Sequence, residues 1–217
     1  MAKTKPQGQL QGSLLGRLAA TPAGAIASNW VFQGMRYMNA YEVALKLVLD
    51  VLLAAMLLVL LFAAATPVAI VVAFILAHTL NWIFNGHFFV LMRYVSPVPK
   101  TEQQFEDYVD DLRTDVARKS YIHGVAIYGS YCRGTLHKFS DLDVRVMAEP
   151  GSLSAVLASV YCFRLRFLAF FKTFPLDIYS CNDIEFLRRL RDDEVPVILL
   201  DRHSVLADLY AGKSSNG

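Results

Sequence analysis

The chain has 217 residues, room for one core of about 100 to 200 residues plus an appendage. It is 55% hydrophobic and only 18% charged, against roughly 25% charged in ordinary soluble domains, which argues against a purely soluble globule, a disordered chain or a secreted disulfide scaffold. Charge is unevenly spread: residues 1–100 hold 7 Lys/Arg and 2 Asp/Glu (net +5), residues 101–217 hold 14 and 17 (net −3), so no long basic face for nucleic acid is expected.

Residues 1–25 are rich in Gln, Gly, Ala and basic side chains, lack periodicity and read as a mobile tail without a secretory signal peptide. From Ile26 to Tyr41, Trp30, Phe32, Met35, Tyr37 and Met38 mix with Arg36 and Asn39. That pattern suits a helix lying at the membrane interface, or one packed on the soluble domain. Val51 to Ala77 carries no charge, and Thr66 is its one polar residue. A helix needs roughly 20 apolar residues to cross a bilayer, and proline ends or kinks a helix. Thr66-Pro67 therefore divides the apolar region into Val43–Ala65 and Pro67–Met92, a hairpin of two membrane helices within residues 43–95. Basic residues flank it on both outer sides (Arg36 and Lys46, Arg93 and Lys100) and the bend has none, which places both ends in the cytoplasm, on the inner membrane. His78, Asn81 and Asn85 share one helix face, with His87 beyond. They either contact another membrane protein or a lipid headgroup, or are wet where the helix emerges.

Ser96-Pro97-Val98-Pro99 is a stiff linker (residues 96–100). After it, residues 101–217 form a second domain. Thr101 reads as an N-cap, and Thr101–Lys119 as an amphipathic helix whose inner face is Phe105, Tyr108, Val109, Leu112 and Val116. Val125–Tyr128 reads as a strand ended by Gly129-Ser130 and a helix-like turn. Leu142, Val144 and Val146 then alternate with Asp141, Asp143 and Arg145. In a strand, Asp141 and Asp143 point to one side, and paired carboxylates suit a hard ion such as Mg²⁺ that also binds phosphate oxygens. The glycine corner and a helix start after it offer N–H groups to an anion. Together these features suggest a nucleoside triphosphate. Asp177, in the strand-like Leu176–Tyr179, completes a three-acid cluster if its strand lies beside that of Asp141 and Asp143. Leu153–Phe171 reads as a long apolar helix, with Arg164, Arg166 and Lys172 suited to its C-terminal dipole. Asp183–Arg191 reads as a short helix, Val195–Leu200 as a last strand, and Ser204–Tyr210 as a helical turn or two. Three cysteines without a CxxC pair (Cys132, Cys162, Cys181) fit reduced thiols rather than disulfides or zinc; Cys132 reads as a packing residue.

The order Gly129-Ser130, ten residues, then Asp141-Leu142-Asp143-Val144, with Asp177 on a later strand, resembles the DNA polymerase β-type nucleotidyltransferase superfamily. Arg133-Gly134 and Ser140-Asp141 resemble its minimal and kanamycin-type members. The resemblance covers roughly residues 101–200. It implies an α/β (α+β) fold, a small mixed sheet flanked by helices, here preceded by two membrane helices. It implies that Gly129 and Ser130 hold the triphosphate; Arg133 either contacts phosphate or braces the helix that follows. Asp141, Asp143 and Asp177 would then be the catalytic acids and ligands of Mg²⁺ or Mn²⁺. The expected function is a membrane-anchored transfer of NMP from an NTP to a lipid-linked or glycan precursor, or to a protein. The alternative is a catalytically inert scaffold of the same fold in a membrane complex. Expected partners are the NTP, membrane lipid, and a membrane protein or second copy of the chain; stable nucleic-acid binding is not expected.

Overall fold

The computed structural model describes residues 21–62, 65–86, 88–92, 98–182, 187 and 194–211. Five α-helices precede the sheet among the described residues. Helix α1 (Pro22–Phe32) starts at Thr21, whose hydroxyl accepts from Gly24 N. It therefore begins inside the stretch expected to be a tail. It ends at Gln33 and Gly34, both left-handed (φ 46° and 75°). A 3₁₀ turn follows at Met35–Tyr37, so the expected continuous helix to Tyr41 is broken. α1 packs on the hairpin: Trp30 Nε1 donates to Thr79 Oγ1 (3.2 Å), and Trp82 Nε1 to Asn29 Oδ1 (2.9 Å).

The hairpin is α2 (Ala40–Leu61) and α3 (Pro67–Asn85). Asn39 caps α2 by accepting from Glu42 N, and Thr66 with Pro67 starts α3. The first helix starts three residues and ends four residues earlier than expected. The second stops at Gly86 and is followed by a short helix, α4 (Phe88–Met92). α2 and α3 run antiparallel, with the seam on Ala69, Ala73, Ala77, Asn81 and Asn85 facing Glu42, Lys46 and Asp50, all buried. Residues four apart share a helix face, and alanines let two backbones approach closely. The outward surface is apolar: Val51, Val59, Leu60 and Val68 are 63–80% exposed.

Thr101 and Gln104 form a reciprocal capping box that starts α5 (Glu102–Ala117). All five expected inner residues of α5 are buried, and Tyr108 stacks on Phe174 at 4.0 Å. The four-stranded mixed sheet has the order β3 (Leu176–Cys181), β2 (Leu142–Ala148), β1 (Ile122–Tyr128), β4 (Val197–Asp201). β1 is antiparallel to β2 and β4, while β2 and β3 are parallel. That parallel pair is joined by α6 (Ser152–Phe171), which lies on one face with α5. The opposite face is covered by Leu187 and α7 (Val205–Tyr210), so β1 is buried along its whole length. Arg93, Ser96-Pro97, His87 and most of the expected Asp183–Arg191 helix lie outside the described residues.

Among the described residues, three helices, α2, α3 and α6, are long and apolar enough to cross a membrane. α6 carries its buried face against the sheet and Phe84 of α3 against Phe167 and Phe170.

Candidate active site

β1 ends at Tyr128, and Gly129 turns the chain with φ 78°. A Cβ there would collide with the Asp143 carboxylate. Only glycine both adopts this backbone and lets the corner approach the acid. Beyond it the chain makes consecutive turns (Thr135 N to Ser130 O, 3.0 Å). The helix expected here does not form, so no helix dipole acts on this corner, and Cys132 lies in a turn.

Asp143 and Asp177 are direct neighbours in the parallel β2–β3 register, and a hydrogen bond links their carboxyls. Asp141 immediately precedes β2, close enough that its charge acts on Asp143. Burial, then the charges of Asp177 and Asp141, push the Asp143 carboxyl up to about 8. The three acids of the sequence motif thus converge, with Gly129 against them. A cavity of about 500 Å³ opens beside them, lined by Ser130, Arg133, His137, Phe139, Asp141 and Asp143 among others. The Ser130 hydroxyl oxygen is buried and has no hydrogen-bond partner among the described residues, as a group awaiting a ligand would be.

Two residues had escaped the sequence reading. Arg145 lies two positions beyond Asp143 and so on the same side of β2. It is 3.7 Å from Asp177 Oδ2, donates to Asp177 O (3.1 Å) and lies over the Tyr179 ring at 4.8 Å. Burial works against its charge, but Asp177 and Asp143 outweigh that and hold the guanidinium protonated. The period-two spacing could have revealed it. Glu194 could not be found that way, because it follows Asp192-Asp193 in what reads as a solvated acidic loop. Its buried carboxylate accepts from the Gly129 N–H, from Arg133 Nη1 (2.8 Å) and from the Cys132 thiol (3.0 Å). Burial and then the Glu194 hydrogen bond push that thiol up to about 12, so Cys132 stays protonated. Arg133 is therefore bracing the corner through Glu194 while remaining 39% exposed.

Among the described residues, no three His, Cys, Asp or Glu side chains form a ready-made metal cage. Mg²⁺ does not require one: it is commonly held by one or two carboxylates, waters and phosphate oxygens. Two crowded carboxyls forced to share a proton, beside an unpaired hydroxyl, fit an ion that arrives with its nucleotide.

A family model described as nucleotidyltransferase domain matches residues 109–203, from within α5 to just past β4. No curated protein matches the chain.

Proposed function

We propose, from the premise that this chain belongs to the nucleotidyltransferase superfamily through residues 109–203, that it transfers NMP from an NTP to an acceptor at a membrane. The observation that carries this reading is the convergence of Asp143 and Asp177 across β2 and β3, with Asp141 and the Gly129-Ser130 corner beside them. Asp141 and Asp143 would hold Mg²⁺ or Mn²⁺. When bound, the ion stabilises the negative charge that builds on the phosphate oxygens as pyrophosphate leaves.

The protein's own groups do the rest. The Ser130 hydroxyl donates to the triphosphate. Arg133, exposed on the cavity side of Glu194, adds a positive charge to it. Phe139, 38% exposed on the rim, offers an aromatic face for the base. Asp177 accepts the proton of the attacking hydroxyl, and Arg145, hydrogen-bonded to its backbone carbonyl and ion-paired with its carboxylate, keeps it oriented.

Residues 43–95 would anchor the enzyme as a bilayer hairpin with both ends in the cytosol, and residues 101–217 would form the transferase domain. The acceptor would be lipid-linked, a glycan precursor or a protein side chain. Incubating the full-length protein with α-labelled NTPs, Mg²⁺ and membranes tests the reading. Label transfer and pyrophosphate release that vanish in Asp141→Asn are expected. Their absence with every nucleotide would establish the inert-scaffold alternative instead.

A further inference from the structure

A second polar cavity, of about 320 Å³, lies at the other end of the sheet, between α2, the start of β1 and the start of α6. Its polar lining comes from Tyr41, His123, Glu149, Gly151, Ser152 and Asn182. His123 is the second residue of β1, whereas Asp143 pairs with Tyr128 at the far end of that strand. Five residues of strand at about 3.3 Å each put roughly 17 Å between the two places.

Two independent features point to an anion. First, α6 is 20 residues long and begins at Gly151 with no side-chain cap. Its first-turn N–H groups and the positive end of its dipole therefore face outward, and the space above Gly151 is open. Second, His123 is only 9% exposed, lines this cavity, and neither of its ring nitrogens has a hydrogen-bond partner among the described residues. A buried imidazole always carries at least one N–H, and buried donors in folded proteins are nearly always paired. The Tyr41 hydroxyl, in the first turn of the membrane hairpin, donates to Ser152 Oγ (3.1 Å), which leaves the Ser152 O–H as a third donor. Glu149 is the one charge of opposing sign in the lining, and His203 Nε2 engages it at 3.0 Å.

We propose that this cavity binds a phosphate group, held by His123, the first turn of α6 and the Tyr41–Ser152 hydroxyl pair. Such a phosphate could belong to a lipid headgroup, since Tyr41 stands at the base of an apolar hairpin, or to a small soluble phosphate compound. Both present the same tetrahedral oxygens to the same donors. The site is remote from the three acids and does not depend on catalysis.

The test uses full-length protein with ¹⁵N-labelled histidine, in phosphatidylcholine nanodiscs. The His123 ring signals are identified by their loss in His123→Gln. Inorganic phosphate is titrated in, and separately phosphatidylcholine is replaced in part by phosphatidic acid. A saturable shift of the His123 signals is expected in at least one arm, weakened about threefold in Tyr41→Phe. Phosphate binding measured by equilibrium dialysis should fall tenfold or more in His123→Gln. A shift with inorganic phosphate alone assigns the site to soluble phosphates. One with phosphatidic acid alone assigns it to headgroups, and shifts in both arms mean that either source reaches it. No shift in either arm overturns the proposal. Should His123→Gln fail to fold, assignment through contacts of the wild-type ring and the Tyr41→Phe comparison still decide.

Discussion

Asp143 sits between two other carboxylates, and that position governs how the protein responds to pH. Its folded-state value of about 8 lies above the ordinary aspartate value of about 4. The folded chain therefore binds more protons than the unfolded chain between those limits. The stability this supplies is complete below pH about 4 and is lost as pH rises through about 8. In metal-free buffer, thermal unfolding should thus move to lower temperature between pH 5 and pH 8.5. Asp143→Asn, which keeps the shape without the charge, should flatten that slope and raise the midpoint at pH 8.5; each kcal/mol regained is about 2–4 °C in a chain of this size. An unchanged slope in the variant would mean that Asp143 is not the group responsible. Glu194 belongs to the same scale. Glu194→Ala leaves the Gly129 N–H without its acceptor and Arg133 without its partner. An unsatisfied buried donor costs about 1–3 kcal/mol, a loss that chemical denaturation would measure directly.

At the scale of elements, the seam between the hairpin and the sheet is polar and buried. Arg166 of α6 donates to Glu42 Oε1 (2.5 Å), Asn85 Oδ1 (2.8 Å) and Ile178 O (2.7 Å), while Ser180 N donates to Glu42 Oε2 (3.1 Å). Asn39 reaches Ser180 O from the cap of α2 (3.0 Å). Deeper in the hairpin, Lys46 Nζ donates to Asn85 O (2.9 Å), and Asp50 is held by Asn81 Nδ2 (2.8 Å) and His78 Nδ1 (2.9 Å). The face of His78, Asn81 and Asn85 is therefore spent inside the chain, neither wet nor offered to a partner. Lys46, expected as a basic flank, is buried in the same seam. Because β3 carries Asp177, the hairpin is fastened to the strand that carries the third acid. Glu42→Ala should cost about 3–5 kcal/mol by leaving the Arg166 charge buried and unpaired. The double replacement Glu42→Leu with Arg166→Met should recover most of that loss in detergent unfolding experiments. If the double variant is as unstable as the single one, the seam does not act through its charges.

Across the whole molecule, polarity is inverted in one part and ordinary in the other. Residues 40–85 turn Val, Leu and Ile outward and enclose Glu42, Lys46, Asp50 and Asn81. Water would favour the reverse, and a hydrocarbon surround favours this arrangement. The sheet and α5 instead bury Val, Ile, Leu and Phe and expose charge, while α6 leaves Leu153, Val156, Val160 and Phe171 exposed. The protein should accordingly stay with membranes through alkaline carbonate washing. With both hairpin ends on the cytosolic side, as proposed, Thr66→Cys should react with a membrane-impermeant maleimide on intact cells, and Thr101→Cys only after lysis. The opposite pattern would reverse the proposed orientation.

Patterns of short range were legible without coordinates. A 27-residue charge-free run, Thr-Pro and Thr-x-x-Gln helix starts, the inner face of α5, and Asp-Leu-Asp at strand spacing each state a local rule that neighbours obey. So the hairpin, the amphipathic helix and the paired acids could be named from residue order alone, because period and capping act within a few residues. Which strand lies beside which is settled over long separations. The pairing of Asp143 with Asp177, Glu194 reaching back 65 residues to Gly129, and Glu42 meeting Arg166 from 124 residues away came only with the folded chain. A buried charge such as Glu194 leaves no periodic trace in a sequence, since its environment is made by whatever packs against it.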